Sequence, residues 1–145
     1  MMSKTRDITG YAFSNHDRLF FDTNVWLYIF GPQGNPADAM PQIYSKAFAS
    51  AIGAKSNIFL DVLVLGEFIN RFARIEYDIQ FPNKSKRPNF KEFRNSPAFQ
   101  PVAQAIVSAT RNILKFVARV ESEFTRVDIN ALLSEFETGG HDFND

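Results

Sequence analysis

The chain has 145 residues, with 16 basic and 16 acidic side chains and no cysteine. That length suits one domain with a substantial core, and the balanced charge means that any polyanion-binding surface must be local. The missing thiols exclude disulfides, thiolate zinc sites and thiol catalysis. They also fit a reducing cytoplasm, the expected location. The opening residues, Met1 to Asp7, lack the apolar core of a signal peptide, and no apolar run approaches the ~20 residues of a membrane span. Most of the 16 phenylalanines should be core, with some left to line a groove or an interface.

Residues 1–17 are polar and are expected to form a loose lead-in, with His16 as a surface residue. Leu19-Phe20-Phe21 reads as a short strand of a parallel sheet, buried on both faces and so without alternation. Asp22 follows at its carboxyl end, the edge where open α/β sheets bind ligands. Thr23 and Asn24 suit a turn and a helix start, so Val25 to Phe30 should be helical. Asp22 has two readings at this point, a turn or cap residue and a metal ligand. Gly31-Pro32-Gln33-Gly34-Asn35-Pro36 is a break.

From Asp38, apolar residues recur every three or four positions from Met40 to Ile52, which predicts a packing helix with Pro41 in its first turn. Gly53 and Lys55-Ser56-Asn57 should end it. Ile58-Phe59-Leu60 reads as a second buried strand, with Asp61 at its exit as a helix cap. A long helix follows, with Val62, Leu65, Ile69, Phe72 and Ile75 on one face. Glu67 lies on the other side near its start. A strand parallel to the first would bring Glu67 to the same edge as Asp22.

Residues 82–97 form a basic, proline-punctuated loop or insertion interleaved with aromatics. Lys84, Lys86, Arg87, Lys91 and Arg94 could follow a phosphate backbone while Phe90 and Phe93 stack on bases. The competing reading is a solvated loop whose phenylalanines fold back onto the core. Ser96-Pro97 opens a helix, and Pro101 predicts a first turn that breaks before the main helix. Val102 to Val120 carry a helical stripe, with Arg111, Lys115 and Arg119 on another face as a solvated basic row. Phe124 to Val127 could be a third strand. Asp128 should cap a helix ended by Gly139-Gly140. His141-Asp142-Phe143-Asn144-Asp145 then looks like the entry to another helix, with Asp142 and Asp145 on one side of it.

Three of these stretches carry a family resemblance. Phe21 to Leu27 resembles the opening strand of a PIN-domain nuclease, with the first catalytic acid at Asp22. Ile58 to Phe72 is similar to the second motif, a strand leading into a helix that carries a glutamate, here Glu67. His141 to Asp145 resembles the third, with Asp145 as the third acid and Asp142 as its companion. The three stand in the family's order and span nearly the whole chain. The fold expected is α/β, a single PIN-like domain with a small parallel β-sheet flanked by helices on both sides. The family pattern continues beyond Asp145 into C-terminal elements that these residues do not include.

The resemblance implies a metal-dependent endoribonuclease. Hard carboxylate ligands suit Mg²⁺ or Mn²⁺, and a cation would relieve the repulsion among Asp22, Glu67 and Asp145. It would activate water and stabilise the phosphoryl and leaving oxygens. Asn24 would hydrogen-bond a carboxylate or contact the RNA phosphate, and His141 could assist. Many small members are toxins of toxin–antitoxin pairs, so a protein antitoxin and a homodimer are implied partners, with no membrane. Two other readings stay open. One is a catalytically idle PIN-like module that binds a protein partner. The other is a haloacid-dehalogenase-like phosphatase, which wants a second aspartate where Asn24 stands.

Overall fold

The computed structural model describes residues 6–32, 37–121, 130, 131, 133 and 134. The chain forms the expected α/β architecture, a small parallel sheet with flanking helices. The strands are β1 (Arg18–Phe20), β2 (Asn57–Leu60) and β3 (Ala118–Arg119), in spatial order β1-β2-β3. Leu19 pairs with Ile58, and Phe59 with Ala118, both in parallel register. The helices are α1 (Thr23–Phe30), α2 (Met40–Gly53), α3 (Val62–Gln80), α4 (Phe90–Arg94) and α5 (Gln100–Leu114). No helix among the described residues is long and apolar enough to cross a membrane.

Successive strand residues face opposite sides of a sheet. Ile58 and Leu60 are buried on one side, with Leu19 packed against the same cluster. Phe20 and Phe59 occupy the other side, where Phe20 is half exposed and the Arg18 guanidinium lies 5.5 Å from the Phe59 ring centroid. Buried residues of all five helices join Ile58 and Leu60 in one cluster. Trp26 of α1, fully buried, sits 5.0 Å from Phe21 and 5.9 Å from Phe48 of α2. Phe68, Phe72, Ala73 and Tyr77 bring α3 into the same core, and Val102, Ile106, Ala109 and Ile113 bring α5. The buried face of α3 is therefore rotated from the predicted one, since Val62 stands out at the surface. In the first turn of α3, Val62 and Leu63 stand out while Val64 and Leu65 pack against the core.

The aromatic residues of segment 82–97 fold inward. Asn89 caps α4 by accepting from the Glu92 N–H at 2.8 Å, which aims Phe93 into the core. Phe93 is 1 % exposed and contacts the rings of Tyr77, Phe81 and Phe99. The Tyr77 hydroxyl donates to the Pro88 carbonyl. Pro97–Phe99 makes a separate 3-10 turn before α5, as Pro101 predicts.

At its carboxyl end, the Val102–Val120 helical stripe is overturned. Helix α5 stops at Leu114, and Ala118–Arg119 pairs with β2 as an edge strand. Val117 and Val120 keep helical spacing with α5, but short apolar runs do not distinguish helix from strand. The free edge of β2 decides it, with the Val120 N–H donating to the Leu60 carbonyl at 2.9 Å. Arg119 thereby leaves the row formed with Arg111 and Lys115. Within the lead-in, residues 11–17 are fastened to the start of β2. Ser56 Oγ donates to the Ser14 carbonyl at 2.7 Å and the Asn57 N–H to the Asp17 carbonyl at 3.0 Å.

Candidate active site

Because β1 and β2 are parallel, Asp22 and Asp61 leave the sheet at one edge. Each caps the helix that follows. Asp22 Oδ1 accepts from the Thr23 N–H at 2.7 Å, and Asp61 Oδ1 accepts from the Val64 N–H at 2.8 Å. The Asp61 bond, to the third residue of its helix, is of the kind that stabilises a helix by about 1 kcal/mol. The turn-and-cap reading of Asp22 thus describes one of its oxygens, and Oδ2 makes no hydrogen bond among the described residues. Asp61 is the cap that its position predicts.

Glu67 stands about a turn and a half into α3, with its side chain 55 % exposed. Arg71, one turn further on, joins the two motifs. Its guanidinium lies 3.9 Å from Glu67 Oε1 and donates to Asn24 Oδ1 at 2.5 Å. Asn24 is two residues after Asp22 in the first turn of α1, so the link sets the start of α1 against the Glu67 turn of α3. The exposed Glu67–Arg71 pair alone contributes only about 0.3–0.5 kcal/mol. Its consequence is positional: it ties Asn24, two residues after Asp22, to the turn of α3 that carries Glu67. Sequence periodicity places Arg71 near Glu67 but gives no sign of its bond to Asn24.

The third strand adds a carboxylate that sequence reading missed, because it depends on β3. Glu121, exposed, follows Val120 at the same edge. Among the described residues, no three acidic or histidine side chains converge as a metal-holding group. Asp142, Asp145 and His141 lie outside the described residues, as does Asp128. Asp22, at the end of β1, and Glu67, on α3, are both exposed carboxylates, hard oxygen donors of the kind that Mg²⁺ or Mn²⁺ takes together with water and substrate phosphate.

The basic candidates separate into two groups. Arg87 is committed to the fold: it donates to Asp78 Oδ1 at 2.8 Å and lies 4.3 Å from the Tyr77 ring centroid. Lys84, Lys86, Lys91 and Arg94 are exposed and make no ion pair among the described residues. Phe93 is withdrawn into the core, and Phe90 is half-buried with the Arg74 guanidinium 4.0 Å from its ring centroid. His16 is exposed in the lead-in, where its backbone N–H donates to Ser14 Oγ at 3.3 Å. An open groove of about 560 Å³ runs along α5, lined by Gln104, Val107, Arg111 and Lys115. It contains no carboxylate and belongs to a different surface. Comparison with known protein families, curated proteins and solved structures finds no match to the chain.

Proposed function

We propose that the chain is a metal-dependent endoribonuclease of the PIN type, hydrolysing RNA phosphodiester bonds at the edge that carries Asp22 and Glu67. The observation that carries this reading is the Arg71 bridge, which sets the Glu67 turn of α3 against the start of α1 just after Asp22. A strand-end aspartate and a helix glutamate so placed offer oxygen ligands to one Mg²⁺ or Mn²⁺, with Asp145 as the third by resemblance. When bound, the ion neutralises phosphate charge and lowers the cost of forming the hydroxide nucleophile. The chain's part is to hold the ion through Asp22 and Glu67. Asn24, fixed by Arg71, keeps the first turn of α1 in register with α3.

Within this reading the chain is the toxin of a toxin–antitoxin pair. Val62 and Leu63, each 67 % exposed beside the same edge, offer an apolar contact for a protein antitoxin. The same pair, with Asp22 and Asp61 both serving as caps, supports the second reading, a catalytically idle module that binds a protein partner. RNA cleavage in Mg²⁺ or Mn²⁺ discriminates them. The nuclease reading expects cleavage that stops with a chelator and in Asp22→Asn and Glu67→Gln. Cleavage that Asp22→Asn leaves unchanged would sink it, as would a metal-loaded chain that cuts no RNA.

A further inference from the structure

We infer that Arg74 and Arg94, gathered around the Phe90 ring, form a docking ridge for single-stranded nucleic acid that leads away from the acidic edge; this rests on the ribonuclease reading above. The observation is a stacked cation. The Arg74 guanidinium lies 4.0 Å from the Phe90 ring centroid, and that of Arg94 lies 5.9 Å from it. The ring beneath is itself held, its centroid 5.5 Å from Tyr77 and 6.5 Å from Phe93, which is buried. A guanidinium resting on a fixed ring is already ordered, so little side-chain entropy is lost when something binds it.

The charge on this ridge is uncompensated. No carboxylate pairs with Arg74, Lys91 or Arg94 among the described residues. The acidic neighbours are engaged elsewhere: Glu92 with Asn89 at 3.1 Å and Asp78 with Arg87 at 2.8 Å. Arg74, Lys91 and Arg94 are all exposed. Position supplies the direction. Glu67, Arg71 and Arg74 are spaced by four and three residues, which puts them on one face of α3. At 1.5 Å per residue, Arg74 stands about 10 Å along the helix from Glu67. A strand with its scissile phosphate at the acidic edge passes Arg71 and then reaches Arg74.

The chemistry fits unpaired bases. An arginine plane accepts a base stacked on its outer face, which a duplex keeps hidden, while Arg94 and Lys91 meet phosphates. The base therefore stacks on the Arg74 plane, because that guanidinium already lies against the Phe90 ring.

The test is binding of a fluorescently labelled, short single-stranded RNA to the full chain by anisotropy, with chelator present so that nothing is cut. Arg74→Ala is expected to weaken binding by about tenfold, the size of a lost stacking contact. Arg74→Lys, which keeps charge but not the plane, is expected to recover only part. Arg94→Ala is expected to flatten the salt dependence by about one phosphate contact. Binding unchanged in Arg74→Ala and Arg94→Ala overturns the proposal. So does equal competition by a blunt duplex of the same sequence or by polyglutamate. The two readings fail separately. Metal-dependent cleavage without an Arg74 effect removes the ridge and leaves the nuclease. Arg74-dependent binding without cleavage leaves the ridge and removes the nuclease.

Discussion

The Arg71 guanidinium of α3 donates to the side-chain oxygen of Asn24 in α1, and the same guanidinium approaches Glu67. The bond is exposed, so its effect on stability is modest, about 1 kcal/mol or less. Its effect on geometry is larger, because a misplacement of about 1 Å can cost ~10²-fold in rate. Arg71→Ala is therefore predicted to unfold at nearly the wild-type denaturant midpoint while losing about 10²-fold in RNA cleavage. Asn24→Asp, which keeps an oxygen acceptor, is predicted to retain the link and most of the activity. Equal cleavage by Arg71→Ala and wild type would show that the bridge positions nothing.

Lys55 carries the left-handed backbone at the end of α2, with φ of 58°. The Ser56 N–H donates to Ala51 O and the Lys55 N–H to Ile52 O, both at 3.0 Å, which closes the helix with a Schellman pair. A side chain at that φ is strained, whereas glycine adopts it freely. Lys55→Gly is predicted to stabilise the chain by about 0.5–1 kcal/mol in urea unfolding. Gly53 lies inside the helix instead, with open space around its α-carbon.

That displacement shows where sequence reading succeeds and where it stops. Ending α2 at Gly53 and Lys55-Ser56-Asn57 is correct, but nothing in that stretch shows that Lys55, and not Gly53, takes the left-handed conformation. The parallel pair β1 and β2 was legible because each is a short apolar run closed by an aspartate, and both aspartates do cap helices. Asp22 and Asp61 could be placed at one edge from that alternation of strand and helix. The Asn24–Arg71 bond could not, since nothing local encodes a contact between α1 and α3. Strand β3 was missed because Val117 and Val120 satisfy the period of a helix. With it went Glu121. In the basic segment, composition cannot tell that Arg87 is consumed by Asp78, or that Arg74 from another element joins Arg94 at the Phe90 ring.

Tyr11 and Asp17 share a hydrogen bond of 2.7 Å. The Tyr11 hydroxyl, and then the Ser14 N–H, hold the Asp17 carboxyl below its ordinary value of 3.8. The same bond, then burial, pushes Tyr11 above its ordinary 10.0. For Asp17 the folded pKa is lowered, so its contribution is present above pH 3.8 and lost as pH falls through the lowered value. For Tyr11 the folded pKa is raised, so its contribution is present below pH 10.0 and lost as pH rises through the raised value. The stability difference between wild type and Tyr11→Phe is predicted to be flat between those limits and to shrink outside them. A difference that persists unchanged in acid would show that the bond does not carry it.

Phe93 joins α4 to the core of α3 and α5. Phe93→Ala is predicted to cost about 3–5 kcal/mol in equilibrium unfolding, as for other buried aromatics. Lys84→Ala, in the exposed turn before it, is predicted to change stability by less than ~0.5 kcal/mol. If both variants unfold alike, segment 82–97 is not packed as described.

Asp22 is proposed as a metal ligand as well as a helix cap. Asparagine caps a helix as well as aspartate does but does not supply the charge that holds a divalent ion. Calorimetric titration of Mn²⁺ into wild type and into Asp22→Asn, both shown to unfold at the same midpoint, separates the two roles. The account predicts saturable binding in the wild type that is lost in the variant. Equal binding in both, or none in either, would contradict it and leave Asp22 as a cap alone.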